Sequence, residues 1–344
     1  MISLSIVNRG FNFRNGNAYS RYSHSKGVVY KPHKERVFGR SLSNAPQNDI
    51  KKDNWASDVG EEAKARKPLK SAITRNLNSE RTLQSILNDP SLLDYQHNIE
   101  EHIFALEQAN PPKLEGTELT EKMRAILIDW LVDVHAKLNL KSETFYLTVN
   151  IIDKYLSITT TSKRTLQLLG ITSLLIASKY EEIQPPKVNT LAYLTNNTYT
   201  NEEILKMEQN VLKVLDFSVA MPSNYNFLQR FVEELGCSKK VKYMAEYIIE
   251  LALLDCLILK AKPSLIAASA LYTANRLINK TKTWEQNMVS KTRYKETDMK
   301  HIIKELIVVM QVSEKSSFKA TRNKFAQPKY MEVSKGTFKK KTFS

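Results

Sequence analysis

At 344 residues and 42% apolar content, the chain can bury one large core or two of ordinary size. Its formal charge of +15 is unevenly spread: residues 1–34 carry +6 with no acid, residues 313–344 carry +7, and only +2 remains between them, so composition gives the body no basic face of the kind that binds nucleic acid. No apolar run approaches the roughly 18 residues that cross a bilayer, and Cys237 and Cys256 lie in apolar helical patterns without C-x-x-C spacing, as buried reduced thiols do.

Residues 1–80 are rich in Asn, Ser, Lys and Arg and show no sustained period, which predicts an unfolded arm. Residues 1–34 share their Arg, Ser and lack of acids with mitochondrial targeting segments, but their glycines and asparagines suit an unfolded arm equally well. Periodic character begins at Ser79–Leu87. Tyr95, Ile99, Ile103 and Leu106 then fall at helical spacing, predicting a helix and linker over 81–119. Thr120 predicts the cap of a helix running to Asn139, and Ser142 the cap of a second through Leu156. A third spans Lys163–Glu182 and stops at Pro185-Pro186. Asn189 opens a short fourth, and Thr200–Leu215 is a fifth with Glu202 and Glu203 in its first turn. No alternating strand pattern stands out.

Leu175-Ile176-Ala177-Ser178 is echoed 91 residues later by Ile266-Ala267-Ala268-Ser269, and Pro222 and Pro263 each reset the chain before a helix. The fold class is therefore read as all-α, with two similar five-helix bundles over 120–217 and 218–312, each built around a central helix, and a basic tail over 313–344.

A search for catalytic chemistry finds none. Between Thr117 and Val312 only Gly170 and Gly236 occur, too few for a loop that closes its backbone on a phosphate. His24, His33, His97, His102, His135 and His301 do not cluster with Cys or acids at ligand spacing, and no Gly-x-Ser-x-Gly elbow is present. The expectation is a binding protein, with neither cofactor nor metal. Its first predicted helix is apolar nearly all round, so it is either wholly buried or keeps one face for a partner. Arg124 inside that helix needs a buried acid, and Asp153 in the next helix is the candidate. Lys179 and Glu208 are a second isolated pair, which pattern alone leaves as partners or as parts of a charged helix face.

Met123-Arg124-Ala125-Ile126-Leu127-Ile128-Asp129-Trp130-Leu131-Val132-Asp133-Val134-His135 closely resembles the signature of the cyclin box in A- and B-type (mitotic) cyclins, with the overall pattern leaning to B. Lys179-Tyr180-Glu181-Glu182-Ile183-x-Pro185-Pro186 and Met207-Glu208-x-x-Val211-Leu212-x-x-Leu215-x-Phe217 follow at family spacing. Pro263-Ser264-x-Ile266-Ala267-Ala268-Ser269-Ala270-Leu271-Tyr272, with Trp284 before Tyr294, resembles the second box. The resemblance covers about residues 95–335. It implies a non-catalytic subunit that binds and activates a cyclin-dependent Ser/Thr kinase in the control of cell division, at G2/M, in nucleus and cytoplasm.

Carried position by position, the resemblance implies that Arg124 and Asp153 form a structural ion pair. Lys179 and Glu208 would contact the kinase, amid Tyr180, Ile183, Leu212 and Phe217. Met123, Ile126, Leu127 and Trp130, with Gln167, would line a hydrophobic patch that docks Arg-x-Leu segments of substrates or inhibitors. The acid that receives the Arg is Asp133, where the family usually has Glu, one methylene longer. Without the family, Met123 and Trp130 read as core before they read as a docking patch. Ala270 stands where the first box has Lys179, so only the first box would carry the kinase contact. Two degenerate matches to a destruction box, Arg36 with Leu42 and Asn44, and Arg66 with Leu69, would bring a ubiquitin ligase to the arm. A helical transcription factor of the same fold is the alternative; it needs basic helix faces on the body and a salt-sensitive shift of DNA.

Overall fold

A computed structural model describes residues 90–336, apart from 281–283, with side chains from residue 98 onward. The described residues are helical, with no strand among them. Helix α1 spans Pro90–Leu106. The first bundle comprises α2 (Glu121–Leu138), α3 (Ser142–Ile158), α4 (Leu166–Glu181), α5 (Val188–Leu194) and α6 (Asn201–Val214). The second comprises α7 (Asn224–Glu234), α8 (Lys239–Ala252), α9 (Pro263–Ile278), α10 (Gln286–Thr292) and α11 (Glu296–Ser313), followed by α12 (Ala320–Phe325) and two single 3-10 turns. The expected arm and both destruction-box matches (Arg36, Leu42, Asn44; Arg66, Leu69) lie outside the described residues.

The local chemistry of the sequence sets most boundaries. Thr120 caps α2 by accepting from the Met123 N–H, and Asn139 ends that helix in the left-handed region. Thr200 and Glu203 form a reciprocal capping box on α6. The cap expected at Ser142 is not formed: Ser142 is already the first helical residue. The Glu182 carboxylate at the end of α4 ties the start of α3 to α4, accepting from the Lys141 N–H at 2.8 Å and from Thr144 Oγ1 at 2.6 Å.

The repeated small-residue motif marks the two central helices. Helix α4 is buried from Leu168 to Ser178 and packs against α2, α3, α5 and α6; α9 packs against α7, α8 and α11. Ala177, Ala267, Ala268 and Ala270 are wholly buried. Gly170 lets α2 approach α4 closely: a Cβ there would stand 2.6 Å from Leu127 Cδ1.

Two segments depart from expectation. On α1, Ile103 and Phe104 pack onto the core, whereas Ile99 and Leu106 are exposed. Phe104 meets Phe227 of the second bundle at 5.0 Å, and the Arg293 guanidinium lies 4.0 Å over its ring, so α1 is seated on the second bundle although it precedes the first. The larger departure is at the C-terminus, where residues 313–336 are not a free basic tail. Phe325 and Val333 are core residues, and Lys324 is buried in an ion pair with Glu250 on α8. The apolar spacing of this stretch is too short for periodicity to reveal it. Part of the charge assigned to a tail therefore belongs to the folded body: residues 120–221 are formally neutral, and 222–336 carry +9.

Candidate docking surfaces

The buried ion pair expected at Arg124 and Asp153 is formed. Arg124 is 1% exposed, and its Nε and Nη2 each donate at 2.6 Å to one Asp153 oxygen. Nη1 donates at 2.7 Å to the Leu253 carbonyl at the end of α8. Burial works against both charges: it pushes the Asp153 carboxyl up in spite of Arg124, while Asp153 together with Cys256 leaves the guanidinium above its ordinary value. Three bonds from one fork thus join α2, α3 and the second bundle.

Lys179, in the last turn of α4, and Glu208, midway along α6, meet as expected. The Lys179 Nζ lies 2.7 and 2.8 Å from the two Glu208 oxygens. Glu208 is mostly buried and Lys179 about half exposed, so the acid is held rigidly while the ammonium still faces solvent. Around the pair, Tyr180 is 56% exposed, Phe217 68% and Ile183 93%. Leu212 is half-buried against the core. Leu205, one turn before Glu208 on α6, is also exposed and was not anticipated, because an isolated apolar residue on a charged helix carries no signal of its own. Several large apolar side chains are thus left in water around one ion pair, as at a surface kept for a partner. Ala270, the counterpart of Lys179, is wholly buried, so the second bundle presents no such group there.

The second surface lies on α2 and α4. Met123, Ile126, Trp130, Asp133 and Gln167 are half-buried and reach the surface. Leu127, expected with them in the lining of the patch, is wholly buried against Gly170 and lies beneath that surface. Burial pushes the Asp133 carboxyl above its ordinary range. One turn earlier, burial pushes Asp129 up to about 6, although it accepts the Ala320 N–H at 3.0 Å. Asp129 therefore holds the start of α12, and Asp133 is the carboxylate beside the apolar patch. The role of Asp129 could not be read from sequence, since its partner is 191 residues away.

Among the described residues no group of His, Cys, Asp or Glu could hold a metal ion, and no helix is long and apolar enough to cross a membrane.

The two bundles coincide with two family models: residues 93–220 match the cyclin N-terminal domain and residues 222–338 the cyclin C-terminal domain. The chain is 41% identical over 245 residues to Cyclin-B1-3 of Arabidopsis thaliana, covering 70% of this chain and 59% of that relative. It is 40% identical over 249 residues to Cyclin-A1-4 of Oryza sativa subsp. japonica, covering 69% of this chain and 70% of the relative. The chain thus spans less than two thirds of the length of the first of these. The fold resembles the X-ray structure of a viral cyclin from herpesvirus saimiri, with a TM-score of 0.53 at 24% identity over 62% of this chain and 96% of the viral one. With both domain models matched in order and relatives of the B and A types alike, the chain belongs to the cyclin family.

Proposed function

We propose that this cyclin is the regulatory subunit of a cyclin-dependent Ser/Thr protein kinase and is not itself a catalyst. The observation that carries the reading is the Lys179–Glu208 pair, fixed at 2.7 Å, with Tyr180 and Ile183 following Lys179 and Phe217 following α6 all left in water. A cation and a carboxylate held side by side offer donors and acceptors in set directions, which suits docking a backbone whose polar groups must not be buried unpaired. Apolar neighbours supply the burial. Phosphoryl transfer in protein kinases needs an internal Lys–Glu ion pair whose formation depends on a movable helix. A subunit that binds better when that helix is in place shifts the kinase towards its active state by its differential affinity.

Further parts of the proposal concern substrates and timing. The patch of Met123, Ile126 and Trp130 over Leu127, with Asp133 at its edge, suits an apolar residue and a neighbouring Arg, as in an Arg-x-Leu segment. One relative, from Marthasterias glacialis, is named a G2/mitotic-specific cyclin-B, which supports action at G2/M; a place in nucleus and cytoplasm belongs to the same proposal. Residues 1–80 would supply contacts for a ubiquitin ligase.

The test is co-purification with a cyclin-dependent kinase and phosphorylation of a protein substrate. Replacing both Lys179 and Glu208 with Ala should weaken binding by at least about thirtyfold and abolish activation. Undiminished binding and activation by that double variant would overturn the assignment. Trp130→Ala should leave kinase binding intact and raise KM for an Arg-x-Leu substrate alone.

A further inference from the structure

Ile183 and Phe217 stand beyond the ends of α4 and α6, where side chains ordinarily fray. Ordering a loose segment on docking costs backbone entropy at every residue that is fixed, which would erode what their burial contributes. Both segments are instead tied back to α3, a helix with eleven buried residues from Thr144 to Leu156.

On the Phe217 side, Asp216 and Phe217 both occupy the left-handed region, at φ 48° and 54°. For an aromatic residue that conformation is costly and persists only where its surroundings impose it. The Phe217 N–H donates to the Leu212 carbonyl and the Ser218 N–H to the Leu215 carbonyl, each at 2.9 Å, closing the turn. From α3, the Lys154 Nζ then donates to the Ser218 carbonyl at 3.0 Å and approaches Ser218 Oγ at 3.4 Å. On the Ile183 side, the Glu182 carboxylate accepts from the Lys141 N–H and Thr144 Oγ1, and the Lys141 Nζ donates to the Glu181 carbonyl at 2.9 Å. Each exposed apolar side chain is therefore flanked in sequence by a residue bonded to α3 or to the residue before it.

We propose that Lys154 and Glu182 are positioning residues for the kinase face. They anchor the turns that carry Phe217 and Ile183, so that α3 sets the distance between the two shoulders of the docking surface before the kinase arrives. The proposal rests on the kinase-docking reading above and adds residues outside the apolar surface itself. Part of the affinity then comes from entropy already lost on folding and not on binding.

The experiment is a double-mutant cycle on the full chain, with dissociation constants for a purified cyclin-dependent kinase measured by titration calorimetry. Lys154→Ala should weaken binding about tenfold, as expected for loss of a charged hydrogen bond that fixes a contact. In the Phe217→Ala background it should have little further effect, because it acts through Phe217. Lys154→Arg should restore most of the affinity, and the thermal midpoint of Lys154→Ala should stay near wild type. Glu182→Ala should couple to Ile183→Ala in the same way, with Glu182→Gln, which keeps an acceptor oxygen, as its conservative control. Additive losses for Lys154→Ala and Phe217→Ala, or unchanged binding by Lys154→Ala, would overturn the positioning role. If the variant lacking both Lys179 and Glu208 stays impaired in that experiment, the docking reading survives; if it binds as wild type, both fall.

Discussion

Lys324 of α12 is buried against Glu250 of α8, and its ammonium lies 5.6 Å from the centre of the Phe145 ring on α3. One side chain thus ties the C-terminal segment to both bundles. Removing the cation alone would leave the Glu250 carboxylate buried without its partner. Lys324→Met should therefore cost about 3–5 kcal/mol in urea unfolding, and the double replacement of Lys324 and Glu250 by Met should recover most of it. Equal losses for the single and double variants would show that an unpaired Glu250 carboxylate is not what destabilises the single one.

Gly170 and Leu127 form a contact with no room to spare. Gly170→Ala gains about 1 kcal/mol of helix propensity but puts a methyl 2.6 Å from Leu127 Cδ1 in a sealed core. Overpacking of this kind costs about 1–3 kcal/mol, so the variant should be less stable by about 1 kcal/mol on balance. Leu127→Ala makes room for the methyl, and in that background Gly170→Ala should become stabilising. Thermal denaturation of the four proteins of the cycle decides it.

Asp129 sets a pH dependence of unusual sign for a carboxylate. Its folded-state value of about 6 lies above the ordinary 3.8, mainly through burial, with Asp133 one turn away adding to the shift. The folded chain keeps a proton that the unfolded chain has released, so stability falls as pH rises from about 4 to 6, and the penalty is complete above that range. Asn can accept the Ala320 N–H without the charge. Asp129→Asn should be more stable than wild type by about 1–2 kcal/mol at pH 8, after allowing for partial solvent screening, and equal to it near pH 4. Chemical unfolding at the two pH values is the measurement.

His135 acts in the opposite direction. Burial, with Lys324 and Lys329 adding to it against Glu182 and the Lys141 carbonyl, lowers it from 6.5 to about 4. Its Nε2 lies 2.7 Å from the Lys141 carbonyl oxygen, which calls for a proton on that nitrogen. The unfolded chain takes up a proton that the folded chain refuses, so stability contributed by the neutral ring is lost as pH drops from about 6.5 towards 4. His135→Gln keeps a donor near the carbonyl and removes the titration. Its unfolding free energy should lack up to about 3 kcal/mol of that acid-side decline.

Much of the site was legible because it depends on local pattern. The helices of the first bundle, the cap at Thr120, the start at Thr200 and the stop before Pro185 follow from chemistry within a turn of chain. Arg124–Asp153 was also legible, since an isolated charge in an apolar helix demands a partner, whereas pattern alone left Lys179 and Glu208 open and only the family resemblance joined them. What stayed hidden needed contacts between distant segments. Lys154 reads as an ordinary surface lysine until it is seen at the Ser218 carbonyl, 64 residues on. Asp129 reads like Asp133 until Ala320 is placed against it.

By itself, the sequence determined the helical class, the two repeated bundles, the absence of glycine-rich or histidine-clustered catalytic motifs and the need of Arg124 for a buried acid, because helix period, capping and unpaired charge are properties of neighbours along the chain. Only the tertiary structure decided which apolar residues of α2 are floor and which are surface, and that residues 313–336 belong to the body. A strongly apolar helix has no privileged face until others pack on it. Leu127 became core because Gly170 admits it, and Ile183 and Phe217 became a surface because the turns that carry them are anchored to α3.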